Sequence, residues 1–385
     1  MSELTHPDIS NLFGIVSYKI YPAENGGQQS IATFYAELNK RVSLTLLVSR
    51  DNEVSGETTI STVPILYSGL LSWLNLFLLY KIRRLIQQKN ITCLLVDHSY
   101  YAWFAMLLSK LSGVPFIIRS HNIETHRFHD LGRWYSKLYE KYESRIHRQA
   151  HYNWWISRND LKYATKKWNV SPEKSAVTTY GTLLRSEPDK LVRLQQRERL
   201  LSLLQVSQTD ILYYFNGSLN YAPNVAAIRT IVYDIVPRLE LKNISFQIII
   251  TGSGLSLAWQ KVLSNIPRIH YLGFQENIDL YWEGTDCFIN PVTLGSGIKT
   301  KIIESLSHGL PTVSTRSGMK GLERPTLQKV LVSVRDYDWE DFTNQMIAVT
   351  QSTVKWRIPL EFYQEFSLPN IVQNALLSLQ TNVSR

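Results

Sequence analysis

The sequence predicts an α/β chain of two doubly wound domains facing each other across a cleft. Three observations predict it. The length of 385 residues exceeds what one hydrophobic core usually supports. Apolar strand-like runs alternate with amphipathic stretches of helical length, which implies crossover helices and a parallel sheet. That alternation lapses once, near 181–190, and then begins again.

In the first half, strands are expected at 12–17, 42–48, 91–97, 115–120 and 152–157, with helices near 28–39, 73–88, 100–111 and 133–150. TYGTLLRSEPDK then reads as a loop, and LVRLQQRERLLSLLQ as a charged helix. The second series of strands falls at 211–217, 246–252, 268–273, 286–291, 311–315 and 329–334. The expected domains are 1–184 and 185–363, with a helix inside 364–385 available to complete the first.

Hydrophobic residues at 44% and charged residues at 19% describe a globular chain rather than a disordered one. The two cysteines, Cys93 and Cys287, exclude a disulfide framework and sit in apolar runs, as buried thiols of a reducing compartment would. The opening residues lack a basic segment followed by an apolar one, so no secretory signal is expected and the location reads as cytoplasmic. Net charge is +9, and residues 1–180 carry +7 of it (21 Lys and Arg against 14 Asp and Glu). No nucleic-acid motif accompanies that excess, which fits an anionic membrane surface, a phosphate-bearing acceptor or an ordinary solvated face.

In open parallel sheets, ligands bind beyond the carboxyl ends of the strands. That rule selects Gly26-Gly27, Asp97-His98, Ser120-His121-Asn122, Asn216-Gly217-Ser218, Gly252-Ser253-Gly254 and Gly295-Ser296-Gly297. The richest segment is 290–322, where a strand, a Gly-Ser-Gly turn and a helix from about Ile298 to His308 follow one another. Gly309 is placed to end that helix in the left-handed conformation, and Pro311 prevents its continuation. A helix start after such a turn offers backbone N–H groups to an anion. On a helical wheel Ile298, Ile302, Ile303 and Leu306 face the sheet, while Gly297, Lys301, Glu304 and His308 lie opposite and Lys299 sits in the first turn. Two early lysines oppose the helix dipole by roughly 0.3–1 kcal/mol each unless an anion offsets them. A diphosphate would do so, and Glu304 would then accept from ribose hydroxyls. A solvated Lys301–Glu304 surface pair is the plain alternative.

His121, beside Asn122 and Glu124, and His98, after Asp97, are candidates for the acceptor side; capping or orienting a loop is the simpler role. Asp336 and Asp338 resemble a metal pair, but Asp338 before Trp339-Glu340-Asp341 reads better as a helix cap, so no metal or other cofactor is expected. Residues 58–80 carry no charge and run into Lys81, Arg83 and Arg84. Pro64, Gly69 and Asn75 interrupt the run, so an interfacial helix or a buried helix is expected rather than a span.

The segment 290–322 resembles the donor-site signature of retaining family 4 glycosyltransferases, which share the GT-B fold of two Rossmann-like domains. FNGSLNYAPNVAAIRTIV (215–232), HNIETHRF (121–128), TTYGT (178–182) and YPAENGGQQSIATFYAELNK (21–40) are similar to further family segments in the expected order. The chain departs from the family in two places. Ser296 stands where many members carry a first glutamate, and Ser218 with Pro223-Asn224 replaces an Arg and Lys pair.

The resemblance implies transfer of a sugar, with retention, from a UDP- or GDP-sugar to a saccharide, glycan or lipid-linked acceptor in cell-surface polysaccharide or glycoconjugate synthesis. It implies Glu304 on ribose, Lys299 and Lys301 on the diphosphate, and the amides of Ser296, Gly297 and Ile298 on phosphate or sugar. Gly26, Gly27, Gly217, Ser218 and Gly295 would admit the donor closely, and His121 would face the reacting sugar. An epimerase or phosphorylase on the same fold, or a non-catalytic nucleotide- or glycan-binding subunit, are the other readings.

Overall fold

The computed structural model describes residues 9–53, 59–295, 297–328, 330–352 and 356–380. The chain divides into two compact units, residues 1–181 with 368–385 and residues 182–367.

The first unit is built on a sheet of order β3-β2-β1-β4-β5-β6-β7. Its strands are β1 (Asn11–Val16), β2 (Ser43–Ser49), β3 (Ser61–Leu66), β4 (Cys93–Asp97), β5 (Phe116–Ser120), β6 (Tyr152–Trp155) and β7 (Ser175–Val177), paired in parallel throughout. The central strands are continuous apolar runs because helices cover both faces. On one face, helices Gly26–Asn39 and Leu368–Ser378 bury Phe34, Leu38, Val372 and Leu376 against Leu12, Val16 and Trp154. On the other, Ile82, Phe104 and Ile146 pack on Phe13, Ile15 and Val96. The C-terminal helix thus belongs to the core of the first unit.

The second unit has the sheet order β10-β9-β8-β11-β12-β13. These strands are β8 (Ile211–Asn216), β9 (Phe246–Thr251), β10 (Ile269–Tyr271), β11 (Cys287–Asn290), β12 (Thr312–Thr315) and β13 (Leu331–Val334), again all parallel. Chain order reverses between β8 and β11, which makes their carboxyl ends the switch point where ligands of such sheets bind.

Several elements differ from expectation. β3 and β7 were not anticipated: both are edge strands, only partly buried, and so lack a strong apolar pattern. Pro64 lies inside β3, which an edge tolerates. Helices Glu124–Asp130 and Arg158–Trp168 are polar and were likewise missed. The expected helix 73–88 is a 3₁₀ helix, Gly69–Leu78, followed by an α-helix, Leu79–Gln88. Cys93 and Cys287 are both buried, and neither forms a disulfide. Among the described residues, no helix is long and apolar enough to cross a membrane.

Candidate functional site

In the second unit, Lys301 and the Gly217-Ser218 turn meet at the end of β8. Helix Thr300–Ser307 begins two residues later than expected. Gly295 and Gly297 have φ of 87° and 80°, and Lys299 is extended at the N-cap, so Gly297, Ile298 and Lys299 precede the helix rather than form its first turn. The first amide to bond within the helix is that of Ile302, which donates to Lys299 O over 3.0 Å. Gly309 ends the helix at φ 71°. Ser296 lies outside the described residues.

Lys301 is not a solvated surface lysine, although the wheel put it opposite the sheet-facing arc. It is 8% exposed. Its Nζ donates to Asn216 O at 3.2 Å and to Asn224 Oδ1 at 3.1 Å, and sits 4.2 Å from the centre of the Phe215 ring. The wheel identifies only the face turned from the sheet; here the end of β8 and helix Ala222–Thr230 cover that face. His308 is buried too, stacked on Trp282 at 6.2 Å and ion-paired at 3.5 Å with Glu283 if protonated. Lys299 Nζ donates to the Gly295 and Gly297 carbonyl oxygens at 3.1 and 3.2 Å, closing the glycine turn over the helix start.

The two charged groups of the helix perturb each other. Burial, aided by the Lys299 charge, lowers the Lys301 ammonium to a pKa of about 7. Burial raises the Glu304 carboxyl to about 7 despite the Lys301 charge. Glu304 is partly buried, and no described residue donates a hydrogen bond to its carboxylate. An acceptor held beside a cation at a switch point is suited to a hydroxyl-bearing anionic ligand.

The glycine turns bring the chain close to itself. A Cβ on Gly252, at φ 136°, would lie 1.8 Å from Gly217 O, so only glycine fits there. Ser218 donates from Oγ to Asn220 Oδ1 at 2.9 Å, and its carbonyl accepts from Asn224 Nδ2 at 2.9 Å. Asn224 therefore links Lys301 to the β8 loop, a role whose only trace in the sequence is the missing cation pair. Asn216 Oδ1 and Asn290 Oδ1, on the adjacent ends of β8 and β11, are buried acceptors without a described donor.

In the first unit, Gly26 and Gly27 are not a loop. They form the exposed first turn of helix Gly26–Asn39, capped by Asn25 Oδ1 accepting from Gln28 N. His121 differs from expectation as well: it is 3% exposed and presents no free ring nitrogen. Nε2 lies 2.6 Å from Asp97 Oδ1 and Nδ1 lies 2.8 Å from Tyr180 Oη. Burial lowers its pKa to about 3, so the neutral ring donates to Asp97 and accepts from Tyr180. Burial tends to raise the Asp97 carboxyl, but the His121 hydrogen bond and the Arg119 charge outweigh it and hold the pKa at about 2.

His98 stacks on His121 with centroids 4.3 Å apart and is held at φ 68°, an uncommon conformation for a residue with a side chain. Its Nε2 meets Tyr18 Oη at 2.9 Å and its Nδ1 meets Glu124 Oε1 at 3.3 Å. The Asn122 carbonyl accepts from Ser120 Oγ at 2.8 Å. Glu143, unnoticed in the sequence, accepts from the amides of Glu124 and Thr125 at 2.9 Å each and so caps helix Glu124–Asp130.

Asp338 caps helix Trp339–Gln351 by accepting from Asp341 N, and Asp336 accepts from Ser317 N at 3.0 Å.

Two family models match the chain: "Glycosyltransferase Family 4" over residues 24–182 and "Glycosyl transferases group 1" over residues 211–352. This chain is a glycosyltransferase of the GT-B type. The glycosyltransferase is similar in structure to sucrose-phosphate synthase from Thermosynechococcus elongatus (14% identity, 97% of this chain and 100% of that chain covered, TM-score 0.75). It is similar to HepE from Anabaena in complex with UDP and glucose (13%, 96% and 99%, 0.72). It is also similar to WaaG, a glycosyltransferase involved in lipopolysaccharide biosynthesis (12%, 96% and 100%, 0.67). At such identities the likeness is one of fold. No curated protein matches the glycosyltransferase in sequence.

Proposed function

We propose that this glycosyltransferase moves a hexose with retention, and without a metal ion, from a UDP- or GDP-sugar to a saccharide, glycan or lipid-linked acceptor in cell-surface polysaccharide or glycoconjugate synthesis. The observation that carries the donor assignment is the Lys301–Glu304 pair at the ends of β8 and β11. One is a buried ammonium, the other a carboxylate with no described donor. HepE, solved with UDP and with UDP-glucose, supports the choice of a nucleotide diphosphate sugar.

In this reading Glu304 accepts from the ribose diol, and the remaining N–H of Lys301 points to the diphosphate. Lys299 stiffens the turn whose Gly297 and Ile298 amides meet phosphate or sugar. The bond from the anomeric carbon to the β-phosphate oxygen breaks, the acceptor oxygen bonds that carbon on the same face, and its proton passes to the departing diphosphate. The protein's share is electrostatic stabilisation of that leaving group. His98 and His121 serve the acceptor side by shaping a wall, with His121 a positioning residue.

Thermal unfolding with UDP, GDP, ADP and dTDP tests the donor class, since a ligand bound only by the folded chain raises its Tm. One of the first two is expected to raise it, and Glu304→Ala to abolish both the shift and donor hydrolysis. No shift with any of the four would falsify the assignment.

A further inference from the structure

The uncharged run that puzzles in the sequence forms a surface that no described residue of the chain covers. Along the 3₁₀ helix Gly69–Leu78, Leu70 is 97%, Phe77 77% and Trp73 56% exposed. Ten residues of 3₁₀ helix are long for that conformation, whose hydrogen bonds are poorer than those of an α-helix.

Side-chain anchoring holds it. Asn75, fully buried in the middle of the run, accepts from Tyr67 N at 2.8 Å and donates to Tyr67 O at 2.9 Å and to Tyr101 Oη at 2.6 Å. Asn75 thus bolts one side of the helix to the unit and leaves the apolar side chains outward. Trp73 and Phe77 pack edge to face at 6.3 Å, already arranged as a pair.

The charge along this segment is of one sign. From Thr58 to Val96 the chain has no Asp or Glu, while Lys81 and Arg84 are exposed just beyond the apolar residues. Arg84 lies over the Tyr80 ring at 4.7 Å, which keeps its guanidinium next to an exposed aromatic. Tyr and Trp beside cations, with Leu and Phe projecting further, is the pattern that suits the headgroup boundary of an anionic bilayer. A second copy of the chain fits less well, because a two-fold contact through this face would bring its cations toward one another.

We infer that Gly69–Leu78 docks on an anionic lipid bilayer, with Leu70, Trp73 and Phe77 entering the interface and Lys81 and Arg84 meeting the headgroups. This contact does not depend on the donor assignment, since no residue of the second unit takes part.

The test is co-sedimentation of the full chain with phosphatidylcholine vesicles and with vesicles containing 30% phosphatidylglycerol. The wild type is expected to bind the anionic vesicles at least about tenfold better, with affinity falling as salt rises. Trp73→Ser with Phe77→Ser, and separately Lys81→Glu with Arg84→Glu, are each expected to reduce binding about tenfold or more. Unfolding temperature and the nucleotide-induced shift should stay at wild-type values in both, separating this surface from the donor site. Absence of binding to anionic vesicles at low salt overturns the inference, as does binding that neither pair of substitutions weakens. A concentration-dependent dimer lost in the Trp73/Phe77 variant, with no vesicle binding, assigns the face to a second copy instead.

Discussion

Lys301 donates to Asn224 Oδ1 over 3.1 Å, and the same Asn224 amide donates to Ser218 O over 2.9 Å, so one side chain ties the buried ammonium to the β8 loop. Asn224→Ala breaks both links. It is expected to weaken binding of the nucleotide that raises Tm by about 5- to 10-fold, the loss of roughly 1–1.5 kcal/mol for a net hydrogen bond. Isothermal titration measures this, and unchanged affinity would detach Asn224 from the site.

Donor binding should be bell-shaped in pH. Glu304 must be ionised to accept from a diol, and its pKa of about 7 makes affinity rise as pH climbs through that value. Lys301 must be protonated to meet a diphosphate, so affinity falls again as pH rises from its free pKa of about 7 toward the higher pKa that the bound anion imposes. UDP-glucose or GDP-mannose, whose diphosphates do not titrate in this range, is the probe. Glu304→Gln is expected to remove the acidic limb, and a limb that persists in that variant belongs to another group.

His121 is expected to behave as a structural ring. His121→Asn should lower stability by about 1–3 kcal/mol, because Asp97 and Tyr180 lose a buried partner. Between the folded pKa of about 3 and the usual 6.5, the unfolded chain binds the extra proton, so wild-type stability gains from this residue as pH rises through that window. Urea unfolding at pH 4 and 6 should show a smaller rise in the variant. Lost turnover with an unchanged unfolding midpoint would instead make the ring a reacting group.

Gly252→Ala places a methyl carbon 1.8 Å from Gly217 O. The clash is with backbone, so one or both loops must move. Tm is expected to fall by several degrees and the nucleotide-induced shift to vanish; retention of both would mean the loops are freer than their contacts indicate.

Turnover should survive EDTA and gain nothing from manganese. Asp338 is spent on the cap of helix Trp339–Gln351 and Asp336 on Ser317, which leaves that acidic pair without a metal duty. Activity lost to EDTA and restored by manganese points to a cation bound elsewhere.

Glu143 offers a stability test of an unforeseen cap. Glu143→Ala frees the Glu124 and Thr125 amides, at about 1–3 kcal/mol, and the loss is read as a lower urea midpoint.

The alternation of apolar runs and helical stretches by itself determined two parallel sheets, because strands covered on both faces must be apolar along their length. The turn at Gly309 and the cap at Asp338 were legible for a similar reason: each depends on neighbours a few residues away. Burial of Lys301 was not, since the carbonyl of Asn216 and the amide of Asn224 that hold it lie 85 and 77 positions back in the chain. The same is true of His121, saturated by Asp97 and Tyr180, and of Glu143 capping a helix it is not part of. Asn75 read as an interruption of an apolar run, and only its bonds to Tyr67 and Tyr101 turn it into the bolt that leaves Leu70, Trp73 and Phe77 outside. Periodicity tells which side of an element faces its own sheet; what covers the other side is decided by segments far away in sequence, and with it the charge state and reach of every side chain there.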